Sequence, residues 1–414
     1  MLEIIRKALK EEGVKSYSVK KIDAESAELF FIKNKLDMSR AKKTTEYKVT
    51  VYVDLGETRG SSTAEIGAKE SYEEAIEKIK NACESAKNAQ NPYYELPPAE
   101  TYEEIEPENT LTASALGLAK ATYAVKSEKA FVNTLEIFAT RTHIKMISST
   151  GLDVSFWKQS VNGEFVAQCK EPEDVEIYKA FNYAEVDEKA HSAIVYETLK
   201  NAEARATARG SLKTGEYDLI VDDENLANLI GEFYLSRTNV GPVYAGYADL
   251  KLGDDFQPEA LGEKINLTLK ARYPFDGEGV RLKDRLLIED GKIKSYNGAS
   301  RYCYYLGIPP VGNFESFSLE NGKTSLEELT KKKCVYVKVF SDLQVDAFAG
   351  VFGGEIRLGY LYEDGKVTAF TGGSISGSWL EAQKNLAFSK ERYSSYSYEG
   401  PKAAKILKVT FAGE

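Results

Sequence analysis

The spacing of hydrophobic and polar positions changes several times along the chain, and each change marks an element. Leu2, Ile4, Ile5, Ala8 and Leu9 recur at helical spacing and stop before Gly13, which predicts a short first helix. Residues 27–32 and 47–54 are rich in β-branched and aromatic side chains, and the second run alternates as a strand with one wet face does. Ser71 and Glu74 have the spacing of a capping box, and Ala75, Ile76, Ile79, Ala82, Cys83 and Ala86 form the buried stripe of the helix behind it. Pro92, Pro97 and Pro98 make residues 91–98 an extended connection.

After an acidic, solvated run at 100–108, the pattern predicts a helix over about 110–128, strands over 130–148 and 152–169, and a helix over about 187–207. A short strand at 217–221 then feeds a helix opening with Asp222, Asp223 and Glu224, acids that suit the positive end of its dipole. From about residue 245 the chain turns to short strands punctuated by Gly and Asp, at 265–269, 285–288, 335–339, 354–360, 366–370 and 405–411. Glu363-Asp364-Gly365 is a hairpin turn between two of them. No repeat of solenoid or propeller period occurs. The expected fold class is α+β, with an N-terminal mixed α/β domain at 1–240 followed by a mainly β, barrel- or sandwich-like domain at 241–414.

Composition narrows the function. With 43% hydrophobic and 29% charged residues over 414 positions, the chain is neither low-complexity nor collagen-like. No apolar run approaches the roughly 18–20 residues that cross a bilayer, and the first helix takes on charge at Glu3, Arg6 and Lys7, unlike a signal peptide. A cytoplasmic protein without a membrane partner is therefore expected. The formal charge of −10 opposes a nucleic-acid partner. Four scattered cysteines, Cys83, Cys169, Cys303 and Cys334, form no CxxC pair and read as free thiols, with Cys83 in the core. Only His143 and His191 exist, in no H-E-x-x-H pair, which leaves a histidine zinc site almost no ligands. No G-x-S-x-G elbow supports a serine nucleophile.

The segment Phe275-Asp276-Gly277-Glu278-Gly279-Val280 admits two readings. Asp276 and Glu278 face a groove, where they could serve acid/base work or a hard cation, or they hold a tight turn that Gly277 and Gly279 permit. Tyr302, Tyr304, Tyr305, Tyr393, Tyr396 and Tyr398 line a peptide surface or are ordinary strand faces.

The order of these pieces resembles the TldD/PmbA family (modulator of DNA gyrase, metallopeptidase-related), and more closely its TldE (PmbA) branch, over nearly the whole chain. The resemblance rests on the acidic-Glu-Gly segment at 275–280, Leu287-Ile288-Glu289-Asp290-Gly291-Lys292, the stretch 299–307 ending in Leu306-Gly307, the D-x-x-x-G strand pair at 346–360, and Gly372-Gly373-Ser374-Ile375-Ser376-Gly377. TldD-like members carry an H-E-x-x-x-H motif on a helix and a late cysteine that bind a catalytic metal. The equivalent place here reads Asn228-Leu229-Ile230-Gly231-Glu232-Phe233-Tyr234-Leu235-Ser236, and no cysteine follows Cys334. Glu232 is either a relic of a catalytic carboxylate or a solvated helix glutamate.

The resemblance thus implies a chain with no catalytic residue and no metal of its own. Zinc would reside in a TldD-like partner, within a cytoplasmic complex that degrades or trims unfolded peptides. It also implies Asp276, Glu278 and Gly279 as peptide- or partner-binding residues, and it leaves open a homodimer of this chain where that partner is absent. The residues alone leave open a free-standing carboxylate- or serine-dependent hydrolase, or a peptide-binding protein without activity. A gyrase regulator, suggested by an older family name, is opposed by the acidic balance.

Overall fold

The computed structural model describes residues 1–413. An N-terminal sheet runs in the order Gln90–Pro92, Thr58–Gly67, Lys35–Leu55, Ser16–Ile32, Ala130–Ser148, Asp153–Cys169 and Thr101–Glu103, with Val175–Tyr183 also pairing the strand Asp153–Cys169. Helices Leu2–Glu11 and Tyr72–Asn88 cover one end of it, burying Ile5, Leu9 and Ile79 against Val19, Val49 and Val51. Leu111–Ala124 and Glu188–Thr207 cover the other end, over Leu135, Ile137 and Phe165. The capping box closes as its spacing requires, with Ser71 N–H donating to Glu74 Oε2 at 2.7 Å and Glu74 N–H to Ser71 Oγ at 3.2 Å. Cys83 is half-buried at the edge of that helix's core, while Cys169, Cys303 and Cys334 are buried, and all four are free thiols.

In the C-terminal half, five strands close into a barrel: Cys334–Asp346, Gly215–Asp222, Ala403–Ala412, Ser374–Ser378 and Val351–Glu363. Lys366–Phe370 joins the last of these through a two-residue turn at Asp364 and Gly365, both at positive φ (49° and 72°), as a tight hairpin demands. A second sheet of short strands, six in all, includes Leu267–Leu269, Phe317–Leu319 and Tyr398–Pro401. Between barrel and sheet lies the helix Asp223–Arg237, whose Leu226, Leu229, Ile230, Phe233 and Tyr234 share one core with both. The α+β class holds, and of the two shapes expected for the C-terminal half the barrel is present. Residues 215–237, counted with the N-terminal domain in the sequence, pack here with C-terminal strands, because the strand Gly215–Asp222 takes its partners from 334–346 and 403–412. The change from one half to the other falls near residue 210, not 240.

The halves meet in two apolar seams. Leu358 of the barrel joins the cluster of the helix Glu188–Thr207, and Phe275 packs with Met146, Leu152 and Phe156 of the N-terminal sheet. No helix among the described residues is long and apolar enough to cross a membrane.

Candidate functional site

The helix Asp223–Arg237 has a wet face that follows directly from its sequence. Asn228, Gly231, Glu232 and Leu235 fall at i, i+3, i+4 and i+7, opposite the buried stripe, and line a groove of about 240 Å³ with Phe314, Glu315 and Phe317. Gly231 permits the close approach of this wall, since a Cβ there would stand 3.2 Å from the Phe317 ring. Asn228 and Glu232 are exposed in the groove. Glu315 is already committed: Lys158 Nζ of the N-terminal sheet donates to it at 2.5 Å and Tyr396 O–H at 2.6 Å, while Tyr273 and Tyr396 share a hydroxyl contact of 2.9 Å. Burial would raise the Glu315 pKa, but Lys158 and Tyr396 outweigh it and hold the carboxyl low.

The donors in this groove are one amide, two carboxylates and hydroxyls. Zinc sites draw on imidazole or thiolate, and neither is present on this wall, so the residues do not fit a zinc ion. Both histidines are engaged elsewhere. His191 is fully buried, its Nε2 2.8 Å from Thr122 Oγ1 and its Nδ1 3.0 Å from Tyr183 O–H, and burial lowers its pKa to about 4. The His143 ring stacks on Trp157 at 4.6 Å, and its pKa is lowered by burial against the pull of Asp23.

The segment 275–280 is a tight turn. Asp276 Oδ1 accepts the N–H groups of Glu278 (2.8 Å) and Val280 (2.9 Å), while its Oδ2 accepts the backbone and side-chain N–H of Asn313 (3.0 and 3.2 Å). Gly279 has φ +90°, and Leu152 fills the space where a Cβ would project. Glu278 is exposed, and its Oε2 accepts Ser300 N–H at 2.8 Å and Ser300 O–H at 2.6 Å at the start of the short helix Ser300–Tyr305. The structure thus brings Asp276, Glu278 and Gly279 together as one hydrogen-bonded unit at the seam with the N-terminal sheet. The tyrosines divide. Tyr304 and Tyr305 pack edge-on to Tyr93 and Tyr94 across the seam, Tyr396 holds Glu315, and Tyr398 is wholly buried.

One charge cluster has no counterpart in the sequence reading. Glu197, Asp222 and Asp223 each place a carboxylate oxygen within 4.8 Å of the others. Lys338 ion-pairs with both Glu197 and Asp222, Lys402 Nζ lies 2.9 Å from Glu197 and 3.9 Å from Asp223, and Tyr336 O–H donates to Asp222 at 2.6 Å. Burial would raise the Glu197 pKa, yet Lys338 and Lys402 overcome it and hold the carboxyl at about 2. Asp223 goes the other way, raised by burial and by the neighbouring Asp222 charge. Two ammonium groups already fill the space a cation would need, so this cluster does not fit a metal either. Its signal in the sequence is faint: Lys338 stands alone among Val335, Val337 and Val339, but its partners are over a hundred positions away.

Residues 214–413 match the model of the PmbA/TldA metallopeptidase C-terminal domain. Two archaeal proteins named metalloprotease are similar in sequence. One, from Methanothermobacter thermautotrophicus, is 26% identical over 63% of this chain and 60% of its own length, and one from Archaeoglobus fulgidus is 24% identical over 54% and 56%. This chain therefore spans less than two thirds of either relative. Among solved structures, TldE from Thermococcus kodakarensis superposes with a TM-score of 0.81 at 19% identity, covering 100% of both chains. A protein from Thermotoga maritima described as a modulator of DNA gyrase gives 0.77 at 16%, covering 99% of this chain and 100% of that one. These likenesses establish a shared fold over the whole length.

Proposed function

We propose, from the premise that this is a TldD/PmbA-family chain with the TldE fold, that it serves as the non-metallated subunit of a TldD/TldE-type metallopeptidase complex acting on unfolded peptides. One observation carries the reading. The helix Asp223–Arg237 presents Asn228 and Glu232 to the groove where the resemblance places the histidine motif, and its donors do not suit zinc. Chemistry on a peptide bond would then fall to zinc in a TldD-like, cytoplasmic partner, with this chain shaping the shared chamber. Where that partner is absent, the chain would pair with itself.

Substrate capture has a physical basis on this chain. Residues 35–45 pair with the strand Ser16–Ile32 on one side, while the strand Thr58–Gly67 reaches only as far as Glu46 on the other. That open edge offers main-chain hydrogen bonds to any extended peptide, with little demand on its side chains. Asp276, Glu278 and Gly279 are assigned to partner or peptide contact through the exposed carboxylate of Glu278 and the rigid turn beneath it.

The test is the zinc content of the native complex recovered by mild affinity purification of this chain, counted per copy. Zinc arriving with a second chain that carries a histidine motif is the expected result. Zinc-dependent peptide cleavage by this chain purified alone would overturn the reading and favour a free-standing hydrolase.

A further inference from the structure

Lys20 lies in the strand Ser16–Ile32, opposite Lys48 of one neighbouring strand and Met146 of the other. Val19, Val49 and Val51 point toward the helices Leu2–Glu11 and Tyr72–Asn88, so Lys20 and Lys48 stand on the opposite face of the sheet. On that face Phe275 packs against Met146 and Phe156, and the turn 275–280 passes beside Lys20: a Cβ on Gly277 would stand 3.5 Å from Lys20 Nζ. The same face carries Thr50 and Thr63, which oppose each other in register and share an exposed hydroxyl contact at 2.8 Å. We propose that Lys20 is a nucleophilic amine that captures a small, polar aldehyde or ketone as an imine on this open face of the sheet.

Lys20 is half-buried, yet it forms no hydrogen bond or ion pair among the described residues. The charged groups around it are engaged elsewhere. Lys48 pairs with Glu65 at 3.1 Å and Lys158 with Glu315, Asp276 accepts four N–H groups, and Glu278 holds Ser300. An ammonium that is partly dehydrated and has no counter-ion in contact favours loss of its proton. Burial lowers the Lys20 pKa below the ordinary lysine value; Asp276 pulls the other way, Lys158 and Lys48 add to the lowering, and Glu278 opposes it. A lysine desolvated beside other cations is a form in which the amine serves as a nucleophile toward carbonyl groups.

The reaction needs nothing the chain lacks. The lone pair of the neutral amine forms a bond to the carbonyl carbon, the C=O π pair passes to oxygen, and a proton from the nitrogen makes that oxygen a hydroxyl. Expulsion of the hydroxyl and of the second amine proton as water leaves the C=N bond. Nothing is oxidised or reduced. Gly277 puts no side chain over Lys20 Nζ, which leaves room for a small ligand, and the hydroxyls of Thr50 and Thr63 suit a ligand that carries hydroxyl groups of its own.

The test treats the full, folded chain with glycolaldehyde and sodium cyanoborohydride, which reduces an imine to a stable secondary amine, and stops while most chains carry no label. Peptide mapping by mass spectrometry then compares Lys20 with its ion-paired neighbour Lys48 and with the exposed Lys69. At pH 7 Lys20 should take about tenfold more label than either, because they remain protonated there. At pH 10, close to the ordinary lysine pKa, the advantage over Lys69 should shrink to about twofold or less. Equal labelling of Lys20 and Lys69 at pH 7, labelling of Lys20 at pH 10 alone, or no labelling of Lys20 at either pH overturns the proposal.

Discussion

Lys338 stands between Val337 and Val339 in a barrel strand, and its side chain is 8% exposed. An ammonium there persists because Asp222 and Glu197 raise its pKa well above the ordinary lysine value, against the opposing effect of burial. Removing one member of a buried set leaves the rest uncompensated, so Lys338→Met should cost about 3–5 kcal/mol of stability in urea unfolding. A loss below about 1 kcal/mol would mean that water reaches the cluster and solvates it. His191 yields a second prediction. Its folded pKa of about 4 lies below the ordinary histidine value of 6.5, so between those two pH values the unfolded chain binds a proton that the native chain excludes. This residue's contribution is complete above pH 6.5 and is lost as pH falls toward 4, by up to about 3 kcal/mol. Replacing His191 with Gln should flatten that leg of the stability profile, measured as the urea midpoint at pH 7.5 and 4.5; an unchanged slope would place the proton uptake elsewhere. Neither effect was legible beforehand. A lone lysine or histidine in sequence does not disclose partners such as Thr122 and Tyr183, which only the fold brings to His191.

Elements with one dry face were legible and those without one were not. The helix Tyr72–Asn88 and the strand Ala130–Ser148 match their patterns closely, because each buries a regular stripe. The strands Ser16–Ile32 and Lys35–Leu55 run far beyond the expected 27–32 and 47–54, since residues 16–26 and 35–45 bury neither face fully and show little apolar alternation. Pairing across the sheet sets their length instead. The strand Val175–Tyr183, outside the elements expected from sequence, does alternate, with Val175, Ile177, Phe181 and Tyr183 buried. The turn at 275–280 shows what local letters leave open: its glycines and acids allowed either a groove-facing pair or a hydrogen-bonded turn, and in the fold Asp276 accepts four N–H groups. Asp276→Ala should therefore cost about 2–4 kcal/mol, the scale of several buried donors left bare, whereas Glu278→Gln keeps its acceptor and should cost under about 1 kcal/mol. Thermal melts of the two variants check this. Equal losses would show that Asp276 holds the turn no more strongly than Glu278 does. If Glu278→Gln left stability intact but weakened capture of a peptide or a second chain, the contact role proposed for that carboxylate would gain direct support.

At the scale of the whole molecule, the question is whether the halves fold as one. The change-over near residue 210 was misplaced in sequence because the strand Gly215–Asp222 and its helix read like the α/β pattern before them, and only pairing with residues 334–346 and 403–412 assigns them to the barrel. The cluster around Lys338 crosses this division, linking Glu197 of the N-terminal helix layer to Asp222 of the barrel, and the Leu358 and Phe275 seams lie on the same boundary. Apolar seams joined by a buried ion network should couple unfolding of the two halves, in contrast to domains that meet through a small wet surface. The chain carries a probe on each side, since it has two tryptophans: Trp157 in the N-terminal sheet, stacked on His143, and Trp379, wholly buried in the C-terminal core. Phe substitution of either one leaves fluorescence that reports a single half. The two urea midpoints should coincide, and Lys338→Met should lower both together. If only the Trp379 signal moved while the Trp157 signal kept its midpoint, the halves would be thermodynamically separate, and the ion network would be a feature of the barrel alone and not the joint between barrel and N-terminal sheet.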